Sequence, residues 1–168
     1  MNNNLDINTL LDNMAQQLQP VLSREPLMIG IHTGGVWVAE QLHDRLGLKE
    51  PLGTLDISFY RDDFTRIGMN PQVKTSDLAT SVEGRVIILV DDVLHTGRTI
   101  RAAMNEIFDY GRPAAIVLAC LIERDGHELP IRADATGESL TLKPNEHIKL
   151  VRDEKDGTLS LKLQEVGG

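Results

Sequence analysis

The stretch Val86–Val90, "VIILV", constrains the fold more than any other part of the chain. Five apolar residues follow one another without a polar break, so a strand made of them must be covered on both faces. That is the pattern of a central strand in a parallel sheet, whose crossovers lay helices on the two faces. The remaining segments supply those parts. "PLMIGI" (26–31), "LGTLDISFY" (52–60) and "AAIVLACLI" (114–122) read as further strands. "VWVAEQLHDRLG" (36–47) reads as a helix stopped by Gly47, and a second runs from roughly Thr99 to Tyr110, stopped by Gly111 and Pro113. Leu10, Leu11, Met14, Leu18, Val21 and Leu22 recur at helical spacing behind Asp6 or Asn8 as caps, which predicts an amphipathic N-terminal helix. "EHIKLV" (146–151) and "LSLKLQEV" (159–166) read as late strands, the second amphipathic. Strands alternating with helices predict an α/β fold with a mostly parallel central sheet.

Composition narrows the function classes. A chain of 168 residues with 41% hydrophobic and 25% charged residues is expected to make one domain with a full core, and it contains no internal repeat. The formal charge of −8 argues against indiscriminate nucleic-acid binding, though it leaves room for a local basic patch. Cys120, the single cysteine, rules out an internal disulfide and reads as a buried thiol. No apolar run approaches the roughly 20 residues that span a bilayer. The polar, acidic opening "MNNNLDINTL" is unlike a secretory signal, so a cytoplasmic protein is expected.

The apolar run leads into "DDVLHTGRT" (91–99). Ligands of open α/β sheets bind beyond the carboxyl ends of the strands, and Asp91 and Asp92 are expected at such an end. Carboxylates accept hydrogen bonds, and a vicinal diol such as ribose O2′ and O3′ is a suitable donor pair. The following residues, His95, Thr96, Gly97, Arg98 and Thr99, offer consecutive backbone N–H groups, two hydroxyls and a helix N-terminus, which together make a phosphate cradle. The pattern therefore points to a ribose carrying a 5-phosphate. The plainer alternative is that the aspartates cap the next helix and Gly97 only makes a turn. A P-loop is excluded, because G-x-x-x-x-G-K-[ST] does not occur, and "GIHTGG" is not a dinucleotide fingerprint.

"VIILVDDVLHTGRT" resembles the phosphoribosyl pyrophosphate (PRPP) motif of the type I phosphoribosyltransferases. The resemblance implies that Asp91 and Asp92 hold the ribose hydroxyls while His95 to Thr99 wrap the 5′-phosphate. "HTGG" (32–35) follows the first strand, where the family has a pyrophosphate-holding loop that often contains a strained peptide; Thr33 and Gly34 are its candidates here, with a simple strand–helix turn as the alternative. From Arg61 to Arg85 periodicity fades and Gly, Pro, Asn, Asp and Ser collect, as in a functional loop. The family carries a mobile loop there, and Arg61 is a candidate catalytic ligand of the pyrophosphate. A small hood, built from the N-terminal or C-terminal segment, is expected beside the sheet.

"GTLDISFYRDDF", "VDDVLHTGRTIRAAMNEIFDYGRP" and "ELPIRADATG" resemble more narrowly the members that regulate pyrimidine operons by attenuation and also act as uracil phosphoribosyltransferases. This implies the reaction of uracil with PRPP to give UMP and pyrophosphate, with Mg²⁺ carried on the pyrophosphate. It further implies UMP-dependent binding to a pyrimidine-operon mRNA leader, and a homodimer or higher homo-oligomer. The base region would fall at Arg124, Arg132, Ala135 and Thr136, and an RNA patch at Arg124, His127 and Arg132, where ion pairing with Asp125, Glu128 or Asp134 is the structural alternative.

Three features depart from those members. Gly34 stands where many have a basic residue, a loss that His32, Arg61, Arg66 or Lys74 would have to offset. No Lys or Arg occurs from Met1 to Leu22, where RNA-binding members present basic residues. Ala135 and Thr136 follow "IRAD", where related enzymes often supply an aromatic ring beside the base. A nucleotide sensor without turnover, and a transferase without RNA binding, are the alternatives these departures raise. Trp37 reads as a core residue and His43 as a surface helix residue.

Overall fold

In the computed structural model, which describes residues 5–57 and 76–165, Val86–Val90 does form the centre of a parallel sheet. The strands are β1 (Leu27–Ile31), β2 (Gly53–Leu55), β3 (Val86–Leu94), β4 (Ala115–Arg124) and β5 (Ala135–Leu140), in spatial order β2-β1-β3-β4-β5. All neighbouring pairs are parallel; Ile88 of β3 lies across from Met28 on β1 and from Val117 on β4.

Helices cover both faces, as an unbroken apolar strand requires. On one face lie α1 (Ile7–Leu18) and α2 (Gly34–Leu46), which bury Leu11, Met14, Val38 and Leu42 against Ile88 and Val90. On the other lies α3 (Arg98–Tyr110), which buries Ile100, Ala103 and Ile107 against Ile87 and Leu89. The predicted N-terminal helix starts on Asp6, whose carboxylate accepts from the Asn8 N–H and the Thr9 hydroxyl. It stops earlier than its apolar spacing suggests, because Pro20 turns Gln19–Arg24 into a short 3-10 helix. α2 begins two residues before its expected start and ends, as expected, at Gly47 in the left-handed conformation.

Two strands differ from expectation. β3 continues past the apolar run to Leu94 and takes both aspartates into the strand, so they do not mark its exit. β5, "ATGESL", was not expected as a strand, since its polar residues and Gly137 hide an edge position against α1. Of the segment 52–60, the strand comprises Gly53–Leu55, and 58–60 lie outside the described residues. The part of the irregular loop that is described, 76–85, has fixed contacts. Asp77 and Thr54 exchange both backbone hydrogen bonds, and Val82 is buried.

The late strands β6 (Glu146–Arg152) and β7 (Leu159–Glu165) form an antiparallel hairpin outside the main sheet, with Leu150 buried in the core beneath α1 and α2. Of the two segments expected to supply a hood, the N-terminal one thus joins the helical layer on the sheet. Trp37 is half-buried, and the Arg152 guanidinium lies over its ring, 5.0 Å from the centroid, tying α2 to the hairpin. His43 is also half-buried, with Nε2 2.7 Å from the Glu50 carbonyl oxygen.

Candidate functional site

β1 runs into α2 on one face of the sheet, and its neighbour β3 runs into α3 on the other. The two connections diverge and leave a crevice at the carboxyl edge, which is where open α/β sheets take ligands. "HTGG" spans the first connection and the start of α2, and "DDVLHTGRT" spans the end of β3, the second connection and the start of α3.

The first connection is held close to the second. The His32 N–H donates to the Leu55 carbonyl at 2.8 Å, and the His32–Thr33 peptide is cis. Thr33 is exposed and its carbonyl accepts from the Val36 N–H in the first turn of α2. A Cβ added at Gly34 would lie 2.1 Å from Asp92 Oδ2, and one at Gly35 would lie 2.6 Å from the Val90 carbonyl oxygen and 3.1 Å from Asp91 Oδ1. These two positions have no room for a side chain without displacement, because the turn rests on the acid pair itself.

Asp91 is buried and Asp92 half-buried. Asp91 Oδ1 accepts from the Asp92 N–H, and Asp92 Oδ1 accepts from the Val93 N–H, each at 2.8 Å. Val90 and Val93, three residues apart, both pack on the core under α1 and α2, so strict strand alternation fails across the aspartates. This lets both carboxylates border the Gly34–Gly35 turn even though they lie within β3. Across from Asp91, Cys120 is fully buried, and burial followed by the Asp91 charge pushes its thiol well above the ordinary range, which leaves it protonated and inert.

The second connection is shaped as a cradle. Gly97 has φ +98°, in the region that favours glycine, and precedes the first residue of α3. The Arg98 N–H donates to Thr96 Oγ1, and the first turn of α3 leaves further N–H groups without partners inside the helix. The Thr96 carbonyl accepts from the N–H groups of Glu128 and Leu129, which pins the cradle to the loop after β4. The Arg98 side chain points to Glu128 at 2.9 Å, an exposed pair of small energetic weight. Thr99 is half-buried behind it. His95 is half-buried against Gly126; burial, then the charges of Arg124 and His147, hold its imidazole below the ordinary value of 6.5.

Beyond the cradle a cavity of about 580 Å³ opens between the end of β4 and β5, lined by Glu123, Arg124, His127, Arg132 and Ser139 among others. The expected base region is only partly here. Ala135 is buried in the core under α1, and Thr136 exchanges hydrogen bonds with Gln17 through its N–H and carbonyl. Neither lines the cavity, because β5 begins at Ala135 and α1 lies on it. Arg124 lines it but is spent structurally: it is buried and donates to the carbonyl oxygens of Asp125 and Glu146, which fastens the hairpin. Of the structural alternative, ion pairing, what the structure has is Asp125, whose carboxyl is held below its ordinary range by the Leu142 N–H and then by the Arg124 charge; Asp134 takes the Leu118 N–H and Glu128 takes Arg98. Arg132 is exposed at the cavity, while His127 is half-buried with Nε2 3.4 Å from Glu123 Oε2. Glu123 and Ser139 are polar lining groups that the sequence alone did not single out; the signal for Glu123 is that it is the first polar residue after the apolar run of β4. Arg61, Arg66 and Lys74 lie outside the described residues. Among the described residues no group of three or more His, Cys, Asp or Glu could hold a metal ion, and no helix is long and apolar enough to cross a membrane.

The model of the phosphoribosyl transferase domain family matches residues 4–152. The chain is 59% identical over 152 residues to the bifunctional protein PyrR of Nitrosococcus oceani, covering 87% of this chain and 86% of that protein. It is 52% identical over 161 residues to the protein of the same name from Pseudomonas savastanoi, covering 94% and 93%. Among solved structures, a hypoxanthine-guanine phosphoribosyltransferase of Bacillus anthracis superposes with a TM-score of 0.66 at 16% identity, over 87% of this chain and 86% of that one. A purine phosphoribosyltransferase from Pyrococcus horikoshii gives 0.60 at 21% identity, over 88% and 93%. At those identities the structures speak for the fold alone.

Proposed function

The chain belongs to the phosphoribosyltransferase family and, within it, to the bifunctional PyrR proteins, and from that premise we propose that it transfers the phosphoribosyl group of PRPP to uracil. The products are UMP and pyrophosphate. The observation that carries the reading is the packing of Gly34 and Gly35 on Asp92 and Asp91, which supports one crevice shared by a pyrophosphate loop and a ribose-holding acid pair.

In the proposed mechanism the Gly34–Gly35 turn receives the pyrophosphate, and the cradle from His95 to Thr99 receives the 5′-phosphate. Asp91 and Asp92 accept hydrogen bonds from the ribose hydroxyls and fix the sugar between the two. Uracil N1 bonds to C1′ as the bond from C1′ to the pyrophosphate oxygen breaks; the bonding pair leaves with pyrophosphate and the N1 proton is lost. Positive charge that develops on the ribose is stabilised by the carboxylates held beside it. Much of the acceleration then comes from holding the two reactants in line. The family implies Mg²⁺ with PRPP, and the donor set fits an ion carried by the substrate: the site offers the oxygens of Asp91 and Asp92 and no larger cluster among the described residues. Such an ion, when bound, would neutralise charge on the departing pyrophosphate. The tested variant is Asp91→Asn with Asp92→Asn, which should lose PRPP and UMP binding while the chain stays folded; unchanged affinities would overturn the site.

The regulatory half of the proposal is UMP-dependent binding to a pyrimidine-operon mRNA leader by a homodimer or higher homo-oligomer. One observation favours a second reading, transfer without RNA binding. Of the three residues expected to meet RNA, Arg124 is buried on backbone carbonyls and His127 Nε2 is buried, which leaves Arg132. A gel-shift titration with and without UMP separates the two readings.

A further inference from the structure

The cavity at the end of β4 is not used by the phosphate or ribose groups of the proposed reaction, yet it adjoins them. Glu123 pairs in register with Leu94, the last residue of β3 before the cradle. The loop from Asp125 to Ile131 is bonded to the cradle at Thr96 and packs on Gly97. A volume near 580 Å³ falls within the range of about 300–1,000 Å³ usual for small-molecule sites.

Its polar lining has a definite pattern. The Glu123 side chain is only 14% exposed and that of His127 only 19%. His127 Nε2 is buried and lacks a hydrogen-bond partner, although it stands 3.4 Å from Glu123 Oε2. Burying a carboxylate beside an imidazole whose nitrogen makes no hydrogen bond costs stability unless a third group completes the set. Arg124 already directs its Nε–H and one Nη1–H to the backbone carbonyls of Asp125 and Glu146. The cavity thus presents the half-buried Glu123 carboxylate beside the exposed Asp125, whose Oδ1 already accepts from the Leu142 N–H, with Arg132 as an exposed donor in the same lining. A ligand edge that meets the Glu123 carboxylate carries an N–H donor there. Uracil offers one at N3–H, between O4 and O2. Cytosine has an amino donor at C4 and a bare acceptor at N3, which would set a lone pair against the carboxylate.

We propose that Glu123, positioned by His127, reads the pyrimidine edge by accepting the N3–H of uracil and thereby excludes cytosine. This rests on the ribose-phosphate reading of the neighbouring crevice and names the specificity residue within it. No proton changes hands at Glu123; the carboxylate acts only as an acceptor.

The test is calorimetric titration of the full chain and of Glu123→Gln with UMP, CMP and PRPP in Mg²⁺. Wild type should bind UMP in preference to CMP. Glu123→Gln should lose about 10- to 100-fold in UMP affinity, the range for a hydrogen bond to a charged group, keep its PRPP affinity, and lose the preference for UMP over CMP. Glu123→Asp should recover part of that preference. An unchanged preference in Glu123→Gln would overturn the proposal, and so would equal losses for PRPP and UMP, which would make Glu123 a structural residue. A wild type that binds neither PRPP nor UMP would remove the crevice reading, and this inference with it.

Discussion

Gly34 and Asp92 share a space in which a hydrogen fits and a methyl group does not: a Cβ on Gly34 would stand 2.1 Å from Asp92 Oδ2. The contact joins the turn after β1 to the acid pair of β3, so a change at either is felt at the other. The atom in the way is the tip of a side chain, which can swing aside. Gly34→Ala should therefore fold normally yet displace the Asp92 carboxylate. We predict a melting temperature within a few degrees of wild type and about a tenfold loss of PRPP affinity, equivalent to about 1.4 kcal/mol. A large drop in melting temperature would instead mean that the turn cannot relax.

Gly97 has a different role, set by its backbone. At φ +98° any L-residue is strained, and Leu129 and Ile131 lie 3.4 Å from where its Cβ would be. Gly97→Ala should cost about 1–3 kcal/mol of stability in denaturant unfolding and weaken UMP binding as the cradle shifts. Wild-type stability in this variant would show that the cradle is free to take another shape.

His95 gives a pH signature. Its pKa is held below 6.5 by burial first and by Arg124 and His147 next, so the folded chain takes up this proton later than the unfolded chain does. A lowered folded pKa gives stability that is complete above the unfolded value and is lost as pH falls through the folded one. Unfolding measured between about pH 8 and pH 5 should show wild type losing more stability than His95→Gln over the acid half of that range. Parallel curves would show that His95 contributes no linkage.

Much of this was legible in the sequence because burial writes a simple code. An unbroken apolar run at 86–90 required two covering layers, and those layers are present. The close-approach glycines and the acid pair were visible as residue types, but their contact was not, since it joins the start of α2 to β3, with Gly34 and Asp92 58 residues apart. β5 escaped notice because "ATGESL" is an edge strand whose Gly137 is fixed by the approach of Leu10, a tertiary cause. Of the residues expected near the base, Arg124 and Arg132 line the cavity, whereas Ala135 and Thr136 sit inside β5 under α1, a placement set by tertiary packing. Arg124 reads as a surface cation in sequence, and only the hairpin shows why it is buried.

The measurement that tests the central claim most directly is turnover. Purified full-length protein with Mg²⁺, PRPP and radiolabelled uracil is scored for UMP, with hypoxanthine and guanine as controls. The account predicts UMP from uracil, no product from the purines, and loss of the signal in the Asp91→Asn, Asp92→Asn variant. UMP formation that survives in that variant, or product from the purines at a rate equal to that from uracil, would contradict it.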